Sequence, residues 1–289
     1  MASKTLLSFG HGFSARAWTP ALMAAGWRVI GTTRSARKAR EIRKSGAEAL
    51  IWPGEDVRPF LQSARAILLS AAPGQSGDPV LRLLRHDIAR RADQLDWVGY
   101  LSTTGVYGDH QGNWVDETAT LTPATARGRA RVEAEAAWAA IAGLPLHIFR
   151  LAGIYGPGRG PFAKVRAGTA RRVIKAGQVF SRIHVDDIAA VLDASLRQPN
   201  PGAIYNVCDN DPAPPQDVIG YAAELLNLPL PPAVDFETAA MTPMARSFYA
   251  ESKKVRNDRI KDELGVQLKY PDYRSGLRAM LDTHLGRDP

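Results

Sequence analysis

The stretch from Thr5 to Ala15 reads TLLSFGHGFSA: a short apolar run, two glycines one residue apart, and the start of an apolar-patterned segment that continues to Ala25. The apolar run predicts a β-strand, and the segment after it predicts a helix. Gly10 permits a tight turn out of the strand, and Gly12 removes the Cβ that would meet a bound pyrophosphate. This order of strand, glycine turn and helix N-terminus predicts an anion site, because the free N–H groups of the first helical turn face the ligand.

The end of the second predicted strand, Trp27–Thr33, distinguishes NADP from NAD. An NAD site needs Asp or Glu there to hold the ribose 2′-hydroxyl. The sequence instead has Arg34 and Ser35, followed by Arg37. A guanidinium can donate two hydrogen bonds to a 2′-phosphate, so we expect NADP in preference to NAD. The alternative interpretation is a solvated basic start to the next helix.

Composition limits the class of protein. The chain has 289 residues and 45% hydrophobic content, which is enough for a large core in one large or two small domains. No stretch approaches the ~18 consecutive apolar residues of a membrane span, and no charged leader precedes the first strand, so we expect a cytoplasmic protein without a membrane partner. Cys208, the single cysteine, excludes an intramolecular disulfide. We expect it to be a small buried side chain, and we expect no metal site.

The net charge of +8 comes from scattered Arg and Lys residues. Nucleic-acid binding would favour basic residues clustered on one face with interleaved aromatics, so we expect no nucleic-acid partner. An anionic cofactor, and an anionic substrate, explain the charge more simply. The expected partner is a small-molecule substrate, and a homodimer is an assembly that the sequence leaves open.

Strand-like runs alternate with helical patterns through the first half of the chain. The predicted strands are Thr5–Phe9, Trp27–Thr33, Ala47–Ile51, Ala66–Ser70, Trp97–Ser102, Leu146–Leu151 and Ala203–Val207. Such alternation is typical of β-α-β units. The predicted fold class is therefore α/β, with a Rossmann-like doubly wound parallel sheet.

A smaller, interleaved C-terminal substrate cap is predicted to cover the carboxyl edge of this sheet. The chain is richer in proline from Asp209 onward, where the pattern changes, and helices are expected near residues 215–226, 252–264 and 272–284. We assign residues 1–155 to an NADP-binding domain, to which residues 181–208 return. Residues 156–180 and 209–289 form the expected cap, where open α/β folds bind ligands.

Four further segments accompany the glycine loop at a characteristic order and spacing. They are LSTTGVYG (101–108), FRLAGIYGPG (149–158), RIHVDDIA (182–189) and IYNV (204–207). Together with the loop they resemble the extended short-chain dehydrogenase/reductase family, which contains NAD(P)-dependent epimerases, dehydratases and reductases. The resemblance covers roughly residues 1–270.

The resemblance implies roles for particular residues. Thr103 takes the position of the family's catalytic Ser or Thr, and Tyr107 borders the substrate pocket as a second catalytic candidate. A hydroxyl at Thr103 could equally satisfy backbone groups in a turn, and an aromatic residue that follows a strand, such as Tyr107, is as often part of the core. The implied substrate residues are Tyr155 and His184, and Tyr249, in the expected cap, is a further candidate for the substrate pocket. The expected cofactor-binding residues are Gly10, Gly12, Phe13, Ser14, Arg34, Ser35, Arg37, Ala71, Ala72, Arg131 and Ile154.

Two of these assignments have alternatives. His184 precedes Asp186 and Asp187, which could orient its imidazole or simply cap the following helix. Tyr249 begins a Tyr-x-x-x-Lys match that ends at Lys253, and we interpret that match as a chance occurrence in the cap.

One departure from the family bears on catalysis. The family uses a Tyr-x-x-x-Lys pair on the helix after the fifth strand, but the corresponding positions here are Arg127 and Arg131. A guanidinium does not exchange protons at neutral pH, so the usual proton-transfer residue is missing. Arg131 could still hydrogen-bond the hydroxyls of a cofactor ribose.

The sequence therefore indicates an atypical NAD(P)-binding protein, epimerase/dehydratase-like or reductase-like, acting on a small polar, sugar-linked or anionic substrate. The alternative is a non-catalytic NADP(H)-binding redox sensor or regulatory protein. Whether the chain is an enzyme stays open at this point, because fold membership does not convey activity.

Overall fold

The computed structural model describes residues 4–284; the outermost residues of the predicted domain ranges, 1–3 and 285–289, lie outside them. The strands are β1 (Thr5–Phe9), β2 (Arg28–Thr33), β3 (Glu48–Ile51), β4 (Ala64–Leu69), β5 (Trp97–Thr103), β6 (Trp114–Val115), β7 (Leu146–Leu151), β8 (Gly153–Tyr155), β9 (Arg172–Ile174), β10 (Arg182–His184), β11 (Ile204–Val207), β12 (Ala233–Asp235) and β13 (Lys254–Val255). The helices are α1 (Phe13–Ala24), α2 (Ala36–Lys44), α3 (Arg58–Ser63), α4 (Pro79–Ala89), α5 (Ala126–Ala139), α6 (Phe162–Arg166), α7 (Val185–Arg197), α8 (Pro215–Leu225), α9 (Pro243–Phe248), α10 (Asp258–Asp262) and α11 (Tyr273–His284). Within the described residues, no helix combines the length and apolar character needed to cross a membrane.

The central sheet has seven parallel strands in the order β11-β7-β5-β4-β1-β2-β3. The strand order reverses beside β1: β2 and β3 lie on one side of it, and the later strands β4, β5, β7 and β11 lie on the other. The prediction of a Rossmann-like doubly wound sheet is therefore confirmed. All seven predicted strands are present, with ends that move by at most two residues.

Helices cover both faces of the sheet because each strand alternates its side chains between two apolar layers. One layer joins the sheet to α1, α2 and α7, and it contains Trp18 and Val191. The other joins the sheet to α3, α4 and α5, and it contains Leu84 and Trp138. Cys208 is buried in the first layer, as expected for a small apolar side chain.

A third apolar cluster lies beyond the sheet and includes Phe162, Ala222 and Leu277 from α6, α8 and α11. We call α6, α8, α9, α11 and the paired strands β9 and β12 the cap. The prediction of one helix over residues 252–264 is wrong. Residues 254–255 form β13, which pairs with β6, and only Asp258–Asp262 is helical. The local pattern could not reveal this strand, because its partner lies far away in the sequence.

A buried ion pair between Arg150 and Glu135 connects β7 to α5. Arg150 on β7 donates from Nη2 to Glu135 Oε2 on α5 at 2.8 Å, and both side chains are almost fully buried. Ser102 on β5 also donates to the Glu135 carboxylate. Arg150 Nη1 donates to the Tyr107 hydroxyl at 3.0 Å, and that hydroxyl donates to Asn206 Oδ1 on β11 at 2.7 Å. The network fixes α5 against three adjacent strands.

We expect Glu135→Ala to lower the free energy of unfolding by about 3–5 kcal/mol, because it leaves the Arg150 guanidinium buried without its counter-ion. Urea unfolding followed by circular dichroism measures the change. Glu133 is exposed on the same helix, so Glu133→Ala is the matched control and should stay within about 0.5 kcal/mol of the parent. Similar losses in the two variants would contradict a structural role for the buried pair.

Candidate active site

A cavity of about 950 Å³ lies at the carboxyl ends of the central strands. Ser70, Thr103 and Ala152, which end or follow β4, β5 and β7, form its floor. Phe248 and Tyr273 line it from the cap side. This is the edge at which open α/β sheets bind ligands.

The glycine loop lies next to Ser14, which lines the cavity. Gly10 has a φ of +76°, and a Cβ there would lie 2.8 Å from the Ala71 nitrogen, so the loop needs glycine at this position. Gly12 is the N-cap of α1, and a Cβ there would meet only the Gly10 carbonyl oxygen, at 3.6 Å. Within residues 4–284, no side chain caps the first turn of α1. The open space above Gly12 and the uncapped N–H groups fit a dinucleotide pyrophosphate.

Other residues of the predicted cofactor set surround this loop. Ser14, Ala72, Arg131 and Ile154 line the cavity. Ala71 does not line the cavity, and its backbone packs closely against the turn at Gly10. Phe13 is the first residue of α1, and its ring centre is 5.6 Å from the guanidinium carbon of Arg159, which lines the cavity.

The predicted ribose-phosphate residues differ in their availability. Arg34 follows β2 and is exposed, and within residues 4–284 its guanidinium has no hydrogen-bond or ion-pair partner. Ser35 caps α2, accepting at 3.5 Å from the Lys38 N–H. Arg37 pairs with Glu41 at 2.7 Å. Of the three, Arg34 is therefore the residue free to bind a 2′-phosphate without losing a contact.

Thr103 reaches the cavity at the end of β5. Its hydroxyl also accepts from the Gly105 N–H at 3.1 Å and so caps the short 3₁₀ turn Thr104–Tyr107. Thr103 therefore combines the structural role with the predicted position in the cavity. Its oxygen accepts the capping bond, and its hydroxyl proton remains available for donation to a ligand.

Tyr107 is not brought into the cavity. It is 0% exposed, and its hydroxyl is held between Arg150 and Asn206. Burial raises its pKa to about 12, against the opposing effect of Arg150. The 3₁₀ turn after β5 directs this ring into the apolar core, so the alternative interpretation of Tyr107 as a core aromatic residue is the one that the structure shows. Tyr107 therefore supports the floor of the cavity from beneath.

Of the three predicted substrate residues, Tyr155 and Tyr249 line the cavity, whereas His184 does not. His184 is 2% exposed and is packed 4.1 Å from the ring of Tyr270. Its Nδ1 accepts from the Asp186 N–H at 3.2 Å, so the histidine itself caps α7. Burial lowers its pKa to about 4, which keeps the imidazole neutral.

Arg127 and Arg131, at the start of α5, both line the cavity. The guanidinium of Arg127 lies 4.7 Å from the ring centre of Phe248 and 3.5 Å from the Ser247 hydroxyl, so it connects α5 to α9. Arg131 donates to the Leu101 carbonyl and to the Tyr100 hydroxyl. It is therefore anchored to β5 at the place where the family resemblance puts a ribose-binding lysine.

The sequence did not single out several charged residues that also line the cavity: Arg159, Arg182 and Glu251. Lys253 was noted only as part of a chance match, and it lies in the same cavity as Thr103. Among the residues that the structure describes, five cationic side chains line the cavity with one carboxylate, that of Glu251; the five are Arg127, Arg131, Arg159, Arg182 and Lys253. Such a surplus favours anionic ligands. No cluster of three or more His, Cys, Asp or Glu side chains suited to a metal ion occurs within residues 4–284.

The family model described as the NAD dependent epimerase/dehydratase family matches residues 9–208. This span contains the glycine loop, the β5 turn and the arginines of α5. The chain belongs to the NAD-dependent epimerase/dehydratase family. The resemblance seen in the sequence is thereby confirmed.

Three similar proteins align with nearly the whole length of this chain. A conserved protein of unknown function from Silicibacter pomeroyi DSS is 63% identical, covers 99% of this chain and 100% of its own, and superposes with a TM-score of 0.95. Protein YeeZ of Escherichia coli K12 is 29% identical over 93% of this chain and 97% of its own. UDP-glucuronic acid 4-epimerase from Bacillus cereus, solved in complex with NAD, is 16% identical over 96% of each chain, with a TM-score of 0.77. This last likeness shows the fold alone.

We expect Gly12→Val to abolish NADPH binding while leaving the melting temperature nearly unchanged. The new side chain has room in the free protein but fills the space that a pyrophosphate requires. NADPH fluorescence titration and thermal unfolding measure the two effects. Gly10→Val is the contrasting variant, and it should destabilise the protein. The positive φ at this position is strained for a residue with a Cβ, and that Cβ would lie too close to the backbone of Ala71. Normal NADPH binding by Gly12→Val would mean that the loop is only a structural turn.

Proposed function

We propose that the protein binds NADP(H) and acts as a reductase-like or epimerase-like enzyme on a small polar, sugar-linked substrate. The observation that carries this proposal is that Ser14, beside the glycine loop, lines the same cavity as Thr103 and Tyr249. Cofactor and substrate would meet at Thr103. When bound, the cofactor supplies or accepts a hydride, and the residues of this chain orient the substrate and manage its protons.

Arg34 supports NADP as the cofactor. Its exposed guanidinium follows β2, where an acid would be needed to hold the 2′-hydroxyl of NAD. A 2′-phosphate accepts hydrogen bonds from a guanidinium and gains charge stabilisation as well.

We expect the protein to bind NADPH about ten- to a hundredfold more tightly than NADH, and Arg34→Asp to reverse this order. The aspartate would accept from a 2′-hydroxyl and repel a 2′-phosphate. Fluorescence titration of both nucleotides measures the ratio. Arg40→Asp is the matched control, since Arg40 is also exposed on α2 but lies farther from β2. Equal affinities of the unmodified protein for the two nucleotides would refute the assignment.

The chemistry of the lining supports a sugar-linked anionic substrate. The excess of cationic side chains in the cavity would attract a nucleoside diphosphate, and the hydroxyls of Thr103 and Tyr249 can hydrogen-bond a sugar. The UDP-glucuronic acid 4-epimerase with the same fold acts on a substrate of this class. Burial raises the pKa of Tyr249, which keeps its phenol protonated and able to donate. We assign proton handling to Thr103 and Tyr249.

One observation favours a second candidate, a non-catalytic NADP(H)-binding sensor or regulatory protein. Arg127 stands where the family's tyrosine would be, and it is engaged with α9 through Phe248. A protein that had lost its proton-transfer residue would keep cofactor binding without turnover. The direct test is NADPH oxidation, followed at 340 nm, with a panel of UDP-sugars, sugar aldehydes and ketones. Absence of turnover throughout the panel, with NADPH still bound, would favour the sensor.

The double change Arg127→Tyr with Arg131→Lys separates the two candidates. For an enzyme that uses other groups for proton transfer, we expect turnover to fall, because the contacts of Arg127 with α9 and of Arg131 with β5 are lost. For a site that has lost its tyrosine, turnover should rise, since general acid–base catalysis is typically worth ~10²–10⁴-fold. Steady-state rates measure the change, and the melting temperature controls for folding. No effect on either rate or stability would mean that these positions do not correspond to the family's pair.

A further inference from the structure

The segment Tyr249–Lys253 brings a buried ion pair into the wall of the cavity. Glu251 and Lys253 both line it, and each side chain is only 10% exposed. We infer that this pair binds a hydroxyl of the substrate's sugar, with Lys253 donating and Glu251 accepting. The inference rests on the proposed function, because it names the part of the site that would read the sugar.

The hydrogen bonds of the pair leave capacity on both partners. Lys253 Nζ donates to Glu251 Oε2 at 2.8 Å and to the Gly108 carbonyl at 2.6 Å. An ammonium has three N–H donors, so one remains. Glu251 Oε1 accepts only a long bond, 3.3 Å, from the Ala124 N–H, although a carboxylate offers about four acceptor sites. The pair therefore has one free donor and free acceptor positions beside each other.

This combination matches a hydroxyl better than other groups. A sugar hydroxyl can accept from the ammonium and donate to the carboxylate at the same time. A carboxylate or phosphate on the ligand would be repelled by Glu251, and a cation would be repelled by Lys253. The pair has no net charge, so it recognises the pattern of donor and acceptor rather than a charge. The arginines elsewhere in the cavity supply the attraction for an anion.

The contacts of the pair place it beside the reacting end of the site. Gly108 follows the turn that Thr103 caps, and Ala124 precedes α5. The pair thus joins the segments after β5 and before α5, the two elements that carry Thr103 and Arg127. A sugar held here would lie in the same cavity as both.

A purely structural role is the competing explanation, since the pair also ties residues 251–253 to the loop after β5. That attachment does not depend on the pair. The Ser252 N–H donates to Asp109 Oδ1 at 2.7 Å, and the Ser252 carbonyl accepts from the N–H groups of His110 and Gly112 at 3.0 Å. The backbone of the segment is held by these three bonds, so two buried charges facing a cavity are better explained by a ligand.

The test compares UDP-glucose with UDP, using NADP-loaded protein and isothermal titration calorimetry. The ratio of the two dissociation constants measures what the sugar adds to binding. The variant is Glu251→Leu with Lys253→Met, which removes both charges and avoids leaving one buried without a partner. Lys254→Met is the matched control, because Lys254 lies next to the pair in sequence but contacts the ring of Trp114 outside the cavity. Melting temperatures and NADPH affinities confirm that both variants are folded.

We expect the double variant to bind UDP as the parent does and to lose about tenfold or more of the additional affinity for UDP-glucose, as for a charge-assisted hydrogen bond. Lys254→Met should keep the parent's ratio. If the parent prefers UDP-glucose and the double variant shows the same preference, the role of the pair is overturned while the proposed function stands. If the parent binds NADPH but neither UDP nor UDP-glucose, the sugar-nucleotide substrate is overturned, and the inference with it. If the double variant does not fold, Glu251→Gln and Lys253→Arg, each of which keeps a polar group, are measured in the same way, and an unchanged ratio in both would overturn the inference.

Discussion

The carboxylate of Glu135 holds together the part of the structure on which the site depends. It accepts from Ser102 on β5 and from Arg150 on β7, and Arg150 reaches the hydroxyl of Tyr107. These contacts fix where β5 ends and how α5 lies across it. Thr103 follows directly after Ser102, and Arg131 is one helical turn before Glu135, so both reach the cavity from positions set by one buried charge. Burying that charge is favourable only because its partners are all in place.

Most of the fold could be predicted from the sequence because it is encoded locally. The run from Thr5 to Phe9, the glycines after it and the alternation of apolar segments each indicate their structure without knowledge of distant residues. The same holds for β2, which ends at Thr33 as predicted. The short strand β13 was missed because its identity depends on pairing with β6, which is more than a hundred residues away.

The site was less predictable because side-chain direction depends on packing. Tyr107 and Tyr249 are both aromatic residues near predicted site segments, yet the first is buried below the floor and the second lines the cavity. His184 lies in a family motif, but its ring is used to cap α7. Lys253 shares the cavity with Thr103 although 149 residues separate them in the chain. None of these outcomes follows from spacing along the chain, because each is decided where two distant elements meet.

The imbalance of charge around the cavity has a consequence for how fast a ligand arrives. In the described part of the chain, five cationic side chains and one carboxylate line a concave, low-dielectric wall, which concentrates the electric field at the mouth of the cavity. Anionic molecules then associate faster than neutral ones of the same size. The advantage depends on ionic strength, since a Debye length of roughly 10 Å at 0.1 M salt is shorter than a typical domain is wide. Dilute buffer therefore increases the association rate of every anion, whether or not it is turned over, and selectivity must come from contacts made after entry.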